Sequence, residues 1–196
     1  LDEDQPLLNL LNEAKKYGNE DMVYMFGSTS KITFAGAGVG FICASEKNLD
    51  AMRKLLSIQT IGPDKINQLA HVRYFKTKEN IIEHMKKHAA ILKPKFEAVD
   101  KVLTEQLADF AEWNKPQGGY FISCDLLEGT AKRAITLAKE AGVIFTPAGS
   151  TYPYKKDPKD YNVRIAPSLP PIKELVQAME VFAACAKIAH CEKVLG

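Results

Sequence analysis

A stripe of apolar residues at Ile81, Met85, Ala89, Leu92, Phe96, Val99, Leu103, Leu107 and Phe110 recurs at steps of three or four, and nothing else in the chain restricts its fold as strongly. That period marks one face of a long α-helix. Pro94 falls inside the stripe. A proline there removes one backbone donor and clashes with the preceding turn, so a kink or break is expected near Leu92. The reading is a long bent helix joining two domains, residues 1–75 and 76–196, with the boundary near residues 75 to 95.

Shorter elements flank this helix. Leu7 to Lys16 reads as an amphipathic helix stopped by Gly18, with a turn at Asn19-Glu20-Asp21. Met22 to Phe26 reads as a buried strand and Val39 to Ala44 as a second one. Ser45 caps a helix from about Lys47 to Ile58, Thr60-Ile61-Gly62-Pro63 breaks it, and Asp64 opens another toward Tyr74. Beyond the long helix, Tyr120 to Leu126, Val143 to Thr146 and Asn162 to Ala166 are expected strands. Thr130 caps a helix from Ala131 to Ala141 that Gly142 ends. Pro170-Pro171 starts a last helix with the stripe Ile172, Leu175, Met179, Phe182 and Cys185. The class is α/β.

A chain of 196 residues, 46% hydrophobic and 26% charged, can bury a core. Its net charge of +2 is too balanced to point to nucleic acid or an acidic membrane surface. No apolar run approaches spanning length. Cys43 and Cys124 sit in apolar strand-like runs and read as small core residues; without a C-x-x-C pair or a secretory leader, a reducing cytoplasmic setting is expected. The opening Leu1-Asp2-Glu3-Asp4 has no initiator methionine, as expected of a piece of something longer.

Chemistry concentrates at Ser28-Thr29-Ser30-Lys31, followed by the run Ile32 to Gly40 that ends in G-A-G-V-G. An amine on a rigid strand end, beside small anion-binding groups, suits Schiff-base formation with a phosphorylated aldehyde. The plainer alternative for an S-x-S-K string is a solvated lysine in a polar turn. His84 and His88 share a helical face at metal-ligand spacing, but Lys86 and Lys87 lie between them and no acidic or cysteine partner accompanies them, so no metal is expected. The G-A-G-V-G run leads into a strand, whereas a dinucleotide loop should open a helix.

Four strings in order are S-T-S-K with G-A-G-V-G, P-Q-G-G-Y-F at Pro116 to Phe121, G-V-I-F-T-P-A-G-S at Gly142 to Ser150, and N-V-R-I-A at Asn162 to Ala166. Through them the chain resembles the C-terminal part of the fold-type I pyridoxal-phosphate-dependent aminotransferases, closest to the divergent aspartate aminotransferase subgroup. The resemblance implies the C-terminal segment of the large-domain sheet, a long bent helix and the α/β small domain. It implies pyridoxal 5'-phosphate as cofactor, held at Lys31 with Ser28 and Ser30 near its phosphate. It further implies Lys31 as the proton carrier and Arg164 as the clamp on the substrate carboxylate.

Small-molecule amino acids and 2-oxo acids, and a homodimer, are the implied partners, with Thr60 to Gln68 reaching the partner's site. Pro116 to Phe121 is read as structural support near the substrate opening. Many relatives carry a phosphate-binding arginine seven or eight residues after the lysine; Gly38 and Val39 stand there here, leaving the phosphate to glycine-loop amides or to residues outside the chain. Fewer than the needed residues precede Lys31 to supply the rest of the cofactor cup, so the chain alone is expected to bind cofactor poorly and transaminate little. Other chemistry on the same fold (β-elimination or decarboxylation), or a sensor domain of a transcription regulator, remain rival readings.

Overall fold

The computed structural model describes residues 7–34 and 36–196; Leu1-Asp2-Glu3-Asp4 and Ala35 of the glycine-rich run lie outside the described residues. The chain divides into two compact units, one ending at His88 and the other comprising Ala89–Gly196.

In the first unit, α1 (Leu10–Lys16) is capped by Asn9, whose side chain accepts Asn12 N–H at 3.0 Å. Leu7 and Leu8 precede that helix and are exposed. A single 3-10 turn, Glu20–Met22, leads to β1 (Met25–Ser28), which pairs antiparallel with β2 (Gly40–Cys43) from Met25↔Cys43 to Ser28↔Gly40. Ser45 and Asp64 accept the amides of Asn48 and Asn67 and so cap α2 (Glu46–Gln59) and α3 (Lys65–Phe75).

The expected buried strand Met22–Phe26 is corrected on two counts. The strand starts three residues later, and Phe26 is 71% exposed. Cys43, expected in the core, is exposed as well. The physical reason is that a two-stranded pair has no cover of its own. Phe75 is the one buried residue among the described residues of this unit.

Helix α4 (Lys78–Leu107) runs unbroken through Pro94, so the helix does not end near Leu92. Burial of Leu92 and Phe96 on either side of the proline, followed by Val99, Val102, Leu103 and Leu107, offsets the lost backbone bond.

The second unit has a three-stranded antiparallel sheet ordered β3 (Glu112–Trp113), β4 (Ile122–Asp125), β5 (Asn162–Ile165). Its buried face sets Ile122 against Ile165 and Cys124 against Val163. Burial pushes the Cys124 thiol up to about 12, with the Asp125 charge adding to it, so this cysteine is an inert core residue. Helices α5 (Ala131–Glu140) and α6 (Ile172–Leu195) pack together through Ala131, Ala134, Ala183 and Ala186 of the same core. The expected stripe of α6 is buried at Leu175, Met179, Phe182 and Cys185, while Ile172 is exposed.

Three local expectations fail here. Strand β3 was not anticipated; it is held because Trp113 Nε1 donates to Asp100 on α4 at 2.8 Å. Val143 to Thr146 is not a strand: no described strand lies beside it to complete a ladder, and Ile144 is 83% exposed. Thr130 does not cap α5 through its side chain, because its hydroxyl donates backward to Leu127 O at 2.6 Å. Asp160 does that work instead, its carbonyl accepting Thr130 and Ala131 N–H and its carboxylate accepting Lys132 N–H.

The loop entering β5 is organised by Asp157, which is buried. Its carboxylate accepts the backbone amides of Lys159, Tyr161 and Asn162 at 2.9–3.0 Å. Burial pushes this carboxyl upward, but the amides of Asn162, Tyr161, Lys159 and Asp160 outweigh it and hold it below the usual carboxylate value. A depressed native value gives stability that is full above about pH 4 and is lost as pH falls through the native value. Asp157→Ala orphans three donors and is expected to cost about 3 kcal/mol of unfolding free energy. Urea unfolding followed at Trp113, the one tryptophan of the chain, measures this. Asp157→Asn should lose less, and should lack the part of the acid-induced loss that Asp157 contributes.

Candidate functional site

Lys31 sits inside one tight turn at the end of β1. Ile32 N–H and Thr33 N–H both donate to Thr29 O at 3.0 Å, and Thr33 Oγ1 donates to the same oxygen at 2.9 Å. Thr29 N–H in turn donates to Val39 O at 3.0 Å, tying the turn to the residue that leads into β2. Two hydroxyls stand beside the lysine: Ser28 Oγ donates to Ser30 Oγ at 2.9 Å and accepts Ser30 N–H at 3.0 Å. Ser28, Ser30 and Lys31 are all exposed, so their donors can reach a ligand.

The donor set fits a phosphorylated aldehyde: a primary amine for the carbonyl carbon, and hydroxyls with backbone amides for the phosphate. The glycine-rich return of the loop is shaped for it. A Cβ added at Gly38 would come within 2.8 Å of Ser30 Cβ and 3.0 Å of Ser30 Cα, so only glycine lets this strand of backbone lie against the serine. Gly38 is one of the two positions at which, by the resemblance, many family members carry an arginine, and close approach here leaves no room for any side chain without moving Ser30.

Arg164 belongs to the second unit, in the middle of β5. Its neighbours Val163 and Ile165 face the core, and the two-residue alternation of a strand turns Arg164 to the other face, opposite Ser123. The guanidinium lies over the Phe121 ring, 4.5 Å from its centre. Nη2 reaches Thr146 Oγ1 at 3.5 Å, while Nε is buried without a hydrogen-bond partner. Among the described residues no carboxylate pairs with it. A buried guanidinium N–H left open is an unmet demand for an acceptor, and a carboxylate meets it with planar geometry.

The structure therefore brings Ser28, Ser30 and Lys31 together, and sets Arg164 against Phe121 and Thr146 in the other unit. Phe121, read from sequence as support, touches the guanidinium directly. Thr60 turns inward on its own loop, its hydroxyl bonding Gly62 at both backbone groups.

Sequence reading missed Asn67 and His71 altogether, and missed that Thr29 and His84 join them in holding the lysine turn. Thr29 Oγ1 lies 2.9 Å from His71 Nε2, Asn67 Nδ2 donates to Ala37 O at 2.8 Å, and His84 Nε2 donates to Ile32 O at 2.6 Å. The His84 and His88 rings lie 4.7 Å apart at a tilt of 52°, and among the described residues no group of three or more metal-ligating side chains is assembled. No described helix is long and apolar enough to cross a membrane.

All 196 residues match the family model described as aspartate amino-transferase. The chain is 47% identical over 193 residues to an aspartate aminotransferase of Corynebacterium glutamicum, covering 97% of this chain and 45% of that protein. The solved structure of an aspartate transaminase from the same organism superposes with a TM-score of 0.91 over 95% of this chain and 44% of that one, at 47% identity. An α-aminoadipate aminotransferase from Thermus thermophilus, solved with N-(5'-phosphopyridoxyl)-L-leucine, shares the fold at a TM-score of 0.81 and 20% identity, over 96% of this chain and 47% of that one. The chain thus spans about half the length of the relatives it matches.

Proposed function

This chain belongs to the aspartate aminotransferase family, and from that premise we propose that it carries the cofactor-holding lysine and the carboxylate-holding arginine of a pyridoxal-phosphate-dependent enzyme. The whole enzyme would exchange an amino group between an amino acid, aspartate foremost, and a 2-oxo acid by a ping-pong route. The observation that supports this most directly is the turn that carries an exposed Lys31 directly after two hydrogen-bonded serines, with Gly38 packed against Ser30.

Each residue has a task that its chemistry allows. Ser28 and Ser30, with the amides of the glycine-rich return, receive the phosphate and fix where the ring sits. Lys31 holds the cofactor through its amine and, once displaced by substrate, carries a proton to and from the substrate Cα, a role typically worth about 10²–10⁴-fold. Arg164 binds the substrate carboxylate with paired N–H donors and so fixes the orientation of the substrate. When bound, the cofactor supplies an electron-withdrawing ring that makes that Cα proton labile.

The first unit also exposes Phe26, Phe34, Ile58 and Ile66 by 71–84%. Apolar surface of that extent suits a part of a larger protein, consistent with a chain half as long as its relatives.

Borohydride reduction of the full-length, cofactor-loaded protein, followed by peptide mapping, tests the assignment. A pyridoxyl group on Lys31 is the expected result. Labelling at any other lysine, or at none, would overturn it.

A further inference from the structure

The lysine turn is anchored at points that no local sequence rule supplies, and all of them converge on Thr29 and its neighbours. Thr29 Oγ1 accepts Val39 N–H at 2.8 Å. The same hydroxyl meets His71 Nε2 at 2.9 Å, and His71 Nδ1 lies 2.9 Å from Asn67 O. A carbonyl oxygen can only accept, so Nδ1 carries the proton and donates to it. In the neutral ring Nε2 is then an acceptor, and the one proton available to it is the Thr29 hydroxyl's. The chain of bonds runs in one direction: Val39 N–H to Thr29 Oγ1, Thr29 O–H to His71 Nε2, His71 Nδ1–H to Asn67 O.

Two further side chains fix the same loop. Asn67, one turn before His71 on α3, donates to Ala37 O at 2.8 Å, and His84 on α4 donates to Ile32 O at 2.6 Å. The loop is thus held at Thr29 and Ile32 on either side of Lys31, and at Ala37 next to Gly38. Thr29, Asn67, His71 and His84 are half-buried, whereas Lys31 is exposed. Lysine has a flexible four-carbon stem, so the side chain cannot set its own position; the backbone turn beneath it must. A misplacement of about 1 Å at a reacting group can cost about 10²-fold.

We propose that His71 is a positioning residue for Lys31, acting through the Thr29 hydroxyl, with Asn67 and His84 completing the clamp. This rests on the assignment of Lys31 made above. His71 bonds Thr29 through Nε2 and Asn67 through Nδ1, so its effect on Lys31 passes through the turn.

The test uses the full-length, cofactor-loaded protein with Thr29→Val, Thr29→Ser, His71→Leu and His71→Gln. Valine keeps the shape of threonine but removes both hydroxyl bonds, and serine restores them. Leucine keeps apolar packing on Phe75 but cannot accept the hydroxyl, whereas a glutamine amide oxygen can. Thr29→Val and His71→Leu are expected to slow the single-turnover half-reaction with aspartate by about 10- to 100-fold, with little change in KM. They are also expected to slow borohydride-trappable capture of pyridoxal phosphate at Lys31 in the apo protein, and Thr29→Ser and His71→Gln should recover most of both.

Wild-type rates in Thr29→Val and His71→Leu, with Lys31 still labelled, would overturn the clamp and leave the lysine assignment standing. Equal losses in all four variants would also overturn it, since a merely structural role predicts no rescue. An unlabelled Lys31 in the wild type would remove the assignment and this proposal together.

Discussion

Replacing Lys31 by alanine is expected to lower turnover of the full-length enzyme by about 10⁴-fold, the upper end of what a positioned acid–base group contributes. The figure is large because, on the proposed assignment, the variant loses two functions at once: covalent retention of the cofactor and delivery of the proton at the substrate Cα. Arginine should be no better, since a guanidinium stays protonated and cannot act as the base. Folding should be nearly unaffected, within about 0.5 kcal/mol, because Lys31 is exposed and Thr29 closes the turn beneath it through backbone bonds. Single-turnover kinetics with aspartate, alongside a urea titration, separate the two effects. A small primary amine added to Lys31→Ala should return part of the rate, as the vacated position admits a free base. Activity above about a tenth of wild type would remove Lys31 from the chemistry, because no residual general-base route of that size is expected.

The features that could be read from the sequence were those written in local chemistry. The stripe of α4 and the inward stripe of α6 are periodic patterns, and the core of the second unit uses both. Ser45 and Asp64 cap their helices because a cap is satisfied within three residues of itself. Where a competing partner lies nearby in space but far along the chain, local rules gave the wrong answer. Thr130 has the composition of a cap, yet its hydroxyl goes to Leu127 while Asp160, thirty residues on, takes the helix amides.

The same limit hid the clamp. Thr29 and His71 are 42 residues apart and His84 and Ile32 are 52 apart, and no period or motif links such pairs. Met22 to Phe26 failed for a different reason. An apolar run states that a segment wants cover and does not state whether the cover lies within the same stretch of polypeptide. Lys31, Ser28, Ser30 and Arg164 were all nominated by motif, but the partners that orient them, Phe121 and Thr146 for the arginine, His71 and Asn67 for the lysine turn, came only from three dimensions.

Arg164→Ala is the second change expected to have a large effect, and it should differ in kind from loss of the lysine. Paired charge-assisted hydrogen bonds to a carboxylate contribute about 1.5–3 kcal/mol each, so removing both is expected to lower kcat/KM by about 10²–10⁴-fold. Most of this should appear as a raised KM for both amino acid and 2-oxo acid, because the carboxylate is present in the ground state of each half-reaction. Cofactor capture at Lys31 should be unchanged, which borohydride labelling of the variant would verify. The C-terminal unit should remain folded, since Arg164 makes no ion pair among the described residues and its Nε is already without a partner. Arg164→Lys is not expected to rescue: an ammonium offers a point charge where the Phe121 face and Thr146 orient a plane. Phe121→Leu, which removes the ring but keeps apolar cover, should then raise KM by a smaller factor, about 3- to 10-fold, by freeing the guanidinium to rotate. An Arg164→Ala enzyme with unaltered KM for both substrates would show that the open Nε serves some other acceptor.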